Sequence, residues 1–440
     1  MDDPHAVPQQ PPPSGGVWPL VIVGAGAAGL TAAIFAGRRG VAPLVLETRE
    51  RPGAKIRVSG GGRCNVLPAR AGPDDFHTEG SRNALRNLLA SWPLAEVTAF
   101  FERELGIALK VEEGGKVFPA SDDPREIVTA LLAEAGRAGA RLAAGVRVEE
   151  LRRLEPQDGP AGSRFELFTA CGQRLRSPRV ILATGGLSLP KTGSDGAGLR
   201  VSAALGHHLR PTYPALVPLI AADPSWGELA GLAVRAELSV ERGGKVVGQQ
   251  IGDLLFTHRG FSGPVALDVS WQLTAPFAAG SRLRARWLGH SEPDWDAWLR
   301  QGGPRSISSA LREELPRRLA ARLLALAGVD GDRRLAQLTR EERRRLVEAL
   351  AACPLEVSGN EGYRVAEVTG GGVPLEEVAT RTLESRLVRG LHFAGEILDV
   401  TGRIGGFNFL WAWVSGRRAG EGAAGGALED ERRSGTQVGG

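Results

Sequence analysis

Apolar residues at 20–23 run directly into six small ones, Gly24-Ala25-Gly26-Ala27-Ala28-Gly29. Small residues continue to about Gly37, and a second apolar run at 41–46 ends on Glu47. This order predicts strand, tight turn, helix, strand and a terminal acid. At 81–106 the apolar positions Leu85, Leu88, Leu89, Val97, Phe100, Phe101 and Leu105 follow a helical period that Pro93 divides. Asp123 before Pro124 predicts a capped helix from about 124 to 136. Partial alternation at 141–151 and 164–169 predicts antiparallel strands, with a short extended piece at 116–119. The apolar run 179–184 predicts a buried strand ending in small residues.

The texture then changes. Short β segments separated by glycine turns occupy about 211–288, including 233–240 and 245–248, and charged helical text occupies 306–353. Both predict an insertion into the first domain, β and then helical. Strand-like text resumes at 364–369 and 391–396, and the glycines of 402–406 open a helix at Phe407. Three segments read as irregular. They are 1–16, rich in Pro and Gln, expected as a disordered tail; 48–70, where Pro52-Gly53 and Gly60-Gly61-Gly62 interrupt any period; and 421–440, expected as a second tail.

Each part of the opening unit has a role in holding a dinucleotide. Gly24 turns the chain off the strand, Gly26 lets backbone approach a pyrophosphate, and Gly29 lets the helix pack on the sheet. The helix N-terminus offers NH groups and a positive dipole end to the phosphates. Glu47 can accept from both hydroxyls of an adenosine ribose, and its charge repels a 2′-phosphate. The reading is FAD or NAD at this site, not NADP.

Composition narrows the rest. The 440 residues suffice for two or three domains, and a mean hydropathy of −0.11 is ordinary for a globular chain. The formal charge of +4 balances 54 basic against 50 acidic residues. Nearly all the bases are Arg, as a GC-rich genome would encode, and mixed signs argue against a nucleic-acid partner. Cys64, Cys171 and Cys353 match no zinc or CxxC spacing, so neither a metal site nor a disulfide framework is expected. No apolar run after residue 37 is long enough to span a bilayer, and a cytoplasmic protein is the simplest reading.

Several longer motifs occur in one order: GAGAAG at 24–29, KIRVSGGGRCN at 55–65, ILATGGLSLPKTGSDGAG at 181–198, LLFTHRGFSGP at 254–264, then AEVTGGGVPLEEV and GLHFAGEILDVTGRIGGFNFLWAWVSGRRAG. Together they resemble the bacterial NAD(P)/FAD-dependent oxidoreductases that include bile-acid dehydroxylation flavoprotein reductases and aminoacetone oxidase. The resemblance implies an α/β fold. A Rossmann-type FAD-binding domain is formed by both chain ends, 17–205 and 354–420, with an inserted β domain at 206–295 and a helical part at 296–353.

It also implies roles by position. Gly24, Gly26, Ala27, Gly29 and Glu47 hold the ADP half of FAD. Ala183, Thr184 and Gly185 pass near the pyrophosphate and flavin, and Gly395 and Glu396 meet the diphosphate or ribityl chain. Gly406, Phe407 and Asn408 present NH groups to the flavin pyrimidine, where charge gathers on reduction. Lys55 and Asn65 flank the glycine run beside the flavin, where Arg63 and Lys55 would favour the reduced form. Cys64 is a candidate redox thiol and His258 a candidate proton donor. The sequence departs from the family pattern in two places, with Leu67-Pro68 where Thr-Asn is usual and Phe407 where Tyr is usual.

The activity implied is hydride transfer through flavin N5 to or from a small organic substrate. NAD(P)H would be a transient reductant, since no second complete GxGxxG unit follows. An oxygen-using amine oxidase and a flavin-binding or RNA-associated protein with structural FAD are the alternatives.

Overall fold

The computed structural model describes residues 15–155 and 163–436. These divide into two compact units, one taking the described residues up to Thr212 and from Val368, the other Tyr213–Glu367. The expected tail at 1–14 lies outside the described residues. Gly15 and Gly16, placed in that tail, are instead bonded to the strand Arg174–Ser177, Gly15 N donating to Arg174 O at 2.8 Å.

The first unit is built on five parallel strands: β1 (Val21–Val23), β2 (Leu44–Glu47), β3 (Arg141–Ala144), β4 (Val180–Leu182) and β5 (Leu391–Phe393). Their order is β5-β4-β1-β2-β3, so both ends of the chain contribute, as expected of a Rossmann-type fold. Residues 141–144, expected in an antiparallel pair, are the parallel edge strand. The expected antiparallel pairing is instead made by Val148–Arg153 with Phe165–Thr169, with Arg174–Ser177 as third strand. Local alternation cannot tell these cases apart, because it records which face is buried and not the direction of the neighbour.

Helix α1 (Ala27–Gly37) connects β1 to β2 and is buried from Ala27 to Ala36, which its lack of charge requires. Its partner is α2 (Phe407–Thr436). A Cβ at Gly416 would collide with the carbonyl of Ala28, and one at Gly420 with that of Ala32. Small residues four apart on both helices therefore let the two backbones touch.

Two expectations of irregular structure are corrected. Segment 48–70 contains a short helix within Ala54–Gly62, helical up to Val58, after which Ser59 is extended and Gly60, Gly61 and Gly62 turn into left-handed backbone. The expected tail 421–440 is helical as far as Thr436. Ala423, Ala424 and Ala427 are buried, and Asp430 accepts from Arg164 (2.9 Å), Arg179 (2.7 Å) and Arg389 (2.9 Å). A polar, glycine-rich text is thus held by ion pairs to residues distant in sequence.

The second unit carries a seven-stranded antiparallel sheet, ordered Cys353–Leu355, Arg282–Trp287, Ala233–Arg242, Lys245–Thr257, Gly260–Ser262, Leu219–Ala221 and Val357–Asn360. Its core includes Trp226 stacked on Phe256 at 5.7 Å, and Trp287, whose indole donates to Ala349 O at 3.0 Å. Helices between Glu292 and Ala351 are spliced between two adjacent strands of this sheet, and the chain returns to it before leaving the unit. The β and helical parts of the expected insertion, at 206–295 and 296–353, thus share one unit apart from its first residues. Residues 354–367, assigned to the first domain, belong to the second, and 206–212 to the first.

Candidate active site

The carboxyl ends of β1 and β4 form a cradle closed behind and open in front. Gly24 has φ +104°, and a Cβ there would lie 2.9 Å from the Ala183 carbonyl carbon and 3.3 Å from Thr184 Cα. A Cβ at Gly29 would lie 3.0 Å from the Gly24 carbonyl carbon and 3.4 Å from Ala183 Cβ. Gly26, which caps α1 in an extended conformation, has nothing within 4 Å of its Cβ position. That open approach to the α1 N-terminus, beside Ala27, fits a diphosphate.

Glu47 ends β2 nearby. One oxygen accepts from Ala25 N at 2.7 Å and the other from Arg49 N at 2.8 Å. Each oxygen keeps a second lone pair for a ribose hydroxyl. Burial pushes the Glu47 carboxyl up, and the NH groups of Arg49 and Ala25 oppose that. Strand order then directs the ligand: with adenosine over β2, the other half of a dinucleotide runs the opposite way, across β4 and β5.

On that side Ala183, Thr184 and Gly185 follow β4, Ala183 N donating to Val23 O at 2.9 Å. Gly395 and Glu396 follow β5. Gly395 N donates to Ser415 Oγ at 2.9 Å, and Trp411 Nε1 to Gly395 O at 3.1 Å, so α2 fixes this turn. The Lys55 ammonium meets Glu396 Oε2 at 2.6 Å and Ser188 Oγ at 2.8 Å. Ser188 Oγ donates to Glu396 Oε1 at 2.6 Å. Lys55, expected as a charge acting on the flavin, thus has its own counter-ion.

The turn before α2 is locked. Gly406 has φ +92°, and a Cβ there would strike the Leu67 backbone. With its amide turned to satisfy both ends, Asn65 accepts from Gly406 N and donates to Leu67 O and Val117 O, each at 3.2 Å. Asn408 Oδ1 accepts from Gly402 N at 2.8 Å, and its amide donates to Gly402 O at 2.9 Å, closing the turn rather than presenting a side chain to a ligand. Phe407 packs edge-on against Phe76 at 5.8 Å. The first turn of α2 supplies NH groups that lack intrahelical acceptors. Because Leu67 meets Gly406 through its backbone, that contact does not require the usual Thr-Asn pair.

The three catalytic candidates fall in both units, Arg63 and Cys64 in the first and His258 in the second. The Arg63 guanidinium pairs with Glu112 at 2.8 Å and Asp122 at 3.3 Å and lies 4.1 Å over the Phe118 ring. Cys64 is fully buried, and burial pushes its thiol up to about 12, so it stays protonated at neutral pH. His258 belongs to the second unit, exposed on the turn between Lys245–Thr257 and Gly260–Ser262.

Asp399, 1% exposed, accepts from Thr78 Oγ1 at 3.2 Å and Glu79 N at 3.1 Å and lies 3.1 Å from Arg210 Nε. Burial outweighs Arg210 and pushes its carboxyl up to about 6. The folded chain therefore holds a proton that the unfolded chain releases at about 3.9. The stability due to this group is fully present below about pH 4 and is lost as pH rises through about 6. Asp399→Asn removes that titration, so between about pH 4.5 and 7.5 the variant gains about 2 kcal/mol on the wild type. Urea midpoints at the two pH values check this, and curves that stay parallel would contradict it.

Sequence reading missed Ser188, Thr369 and Ser415. All three lie in the motifs singled out, but their separation along the chain gives no sign that Ser188 and Thr369 meet Glu396 or that Ser415 meets Gly395. Among the described residues no cluster of metal-ligating side chains occurs, and no helix is long and apolar enough to cross a membrane.

The chain matches the HI0933-like protein Rossmann domain over residues 19–422. It is 34% identical over 407 residues to a ribosomal RNA dihydrouridine synthase of Escherichia coli (strain K12), spanning 90% of this chain and 95% of that one. It is 32% identical over 412 residues to a 3-dehydro-bile acid delta(4,6)-reductase of Clostridium scindens, spanning 92% and 98%. A flavocytochrome c3 fumarate reductase in its open conformation is similar in structure, with TM-score 0.50 and 15% identity over 94% of this chain and 79% of that one, which shows the fold alone. A Rossmann cradle that fits a dinucleotide, a domain match along nearly the whole chain and near-full-length relatives agree, and the chain belongs to the HI0933-like family of FAD-dependent oxidoreductases.

Proposed function

We propose that this protein reduces a carbon–carbon double bond conjugated to a carbonyl, and that its acceptor is the uracil ring of a uridine in ribosomal RNA. One observation carries the reading: two near-full-length relatives with different substrates have names describing the same change, saturation of a double bond in conjugation with a carbonyl. An RNA-borne base replaces the free small molecule expected from sequence, with NAD(P)H as the transient reductant. FAD, when bound, supplies a two-electron carrier that can deliver a hydride to the carbon remote from the carbonyl.

The chain's own tasks are to hold the dinucleotide and to supply one proton to the carbon beside the carbonyl. His258 is the donor we propose. Its turn is fixed by Thr257 Oγ1, which accepts from Arg259 N at 3.2 Å and Gly260 N at 3.1 Å, and the side chain is exposed. His258→Gln is expected to lower turnover about a hundredfold, within the range of general-acid contributions. Anaerobic bleaching of the flavin by NADPH should be unaffected, and stopped-flow absorbance with and without acceptor separates the two half-reactions.

The reading as a whole is tested by mixing anaerobically reduced enzyme with ribosomal RNA lacking the modification. Flavin reoxidation together with uridines heavier by two hydrogens supports it. Reoxidation by a 3-keto-4-ene bile acid but not by RNA would move the assignment to a small-molecule reductase. Reoxidation only by oxygen would favour an oxidase.

A further inference from the structure

The loop after β4 is held by a residue from a remote part of the chain. Thr369 Oγ1 accepts from two successive NH groups, Leu187 N at 2.7 Å and Ser188 N at 3.0 Å. Its own backbone N donates to Glu396 Oε1 at 3.1 Å. The same Glu396 oxygen accepts from Ser188 Oγ at 2.6 Å, and the other meets Lys55 at 2.6 Å. Ser188 is fully buried and Thr369 2% exposed. Gly186 lies flush against this group, since a Cβ there would be 2.6 Å from Thr369 Cβ and 2.9 Å from Glu396 Oε1. Four segments remote in sequence thus converge on one carboxylate at the carboxyl ends of β4 and β5.

We infer that Thr369 and Ser188 are positioning residues for the flavin half of FAD, fixing the Glu396 carboxylate and the Lys55 ammonium as one oriented pair. Strand order places that half of the dinucleotide on this side of the sheet. Lys55 is the only cation of the group, and Ser188 and Glu396 are its partners. When the Thr369 hydroxyl is lost, the part-buried Leu187 NH and the buried Ser188 NH lose their acceptor and the loop must shift to find another. Ser188 then leaves Glu396, and the direction of the Lys55–Glu396 dipole changes. A flavin nearby senses such a change in its reduction potential, because the reduced ring carries more negative charge than the oxidised one.

The inference rests on FAD binding and not on the choice of acceptor. The test compares Thr369→Val, which keeps the shape, with Thr369→Ser, which keeps the hydroxyl, and with Ser188→Ala. FAD Kd is read from flavin fluorescence and the flavin midpoint potential from anaerobic redox titration. Thr369→Val is expected to raise Kd about tenfold, equivalent to about 1.4 kcal/mol, and to shift the potential. Thr369→Ser is expected to restore both, and Ser188→Ala to shift the potential in the same direction as Thr369→Val. Wild-type Kd and potential in Thr369→Val would overturn the inference while leaving FAD binding intact. If Thr369→Val does not fold, a wild-type potential in Ser188→Ala overturns it and a shifted one supports it. A wild-type protein that takes up no FAD would instead overturn the reading of the cradle.

Discussion

Gly26→Ala is expected to fold as the wild type does and to bind FAD about a hundredfold more weakly, whereas Gly24→Ala is expected to destabilise the fold itself. The two glycines sit two residues apart in one motif, yet the structure gives them opposite surroundings. At Gly24 the backbone is left-handed, and a methyl group would press on the carbonyl of Ala183 at the end of β4. Backbone strain and overpacking add there, for a loss of about 4 kcal/mol. At Gly26 the backbone is extended and a methyl group meets no atom of the protein. It occupies only the space through which a diphosphate reaches the α1 N-terminus. Urea unfolding of the apoproteins measures the first effect, and FAD titration of Gly26→Ala the second. A Gly26→Ala protein that binds FAD as tightly as the wild type would mean that the diphosphate does not lie there.

Asp430→Ala is expected to destabilise the protein by about 3 kcal/mol, and removal of residues after Gly420 by at least as much. Arg179 is 3% exposed, and Asp430 is its 2.7 Å partner, with Glu384 farther away at 3.6 Å. Removing one member of a buried pair leaves the other charge uncompensated, which costs more than the pair contributes. The pH dependence has the opposite sign to that of Asp399. Hydrogen bonds from Arg164 and Arg179 overcome desolvation and hold the Asp430 carboxyl down at about 2. Its contribution is therefore present above about pH 4 and is lost as pH falls through 2. Urea unfolding of Asp430→Ala and of the shortened chain at neutral pH checks both magnitudes. A shortened chain as stable as the wild type would mean that the end of α2 is dispensable.

The expected irregular segments show where sequence reading stops. Residues 421–436 offer only small apolar residues such as Ala423, Ala424 and Ala427, and the ion pairs that help hold them come from arginines at 164, 179 and 389 that no local window contains. The helix within Ala54–Gly62 is short and runs into three glycines, so propensity argued against it. Residues 141–144 were legible as a strand, but their direction depends on β2.

What the sequence determined by itself was the dinucleotide unit. Its glycines, helix and terminal acid are contiguous, and each conformational demand falls on a residue that can be named in order. The motifs around Lys55, Ile181 and Gly395 were equally visible as text. Only the tertiary structure decided that Lys55, Ser188, Thr369 and Glu396 share one carboxylate, that Arg63 is paired and that Cys64 is buried. Those facts depend on distances between segments up to 341 residues apart. Packing five parallel strands from both chain ends sets such distances, and no periodicity along the chain encodes them.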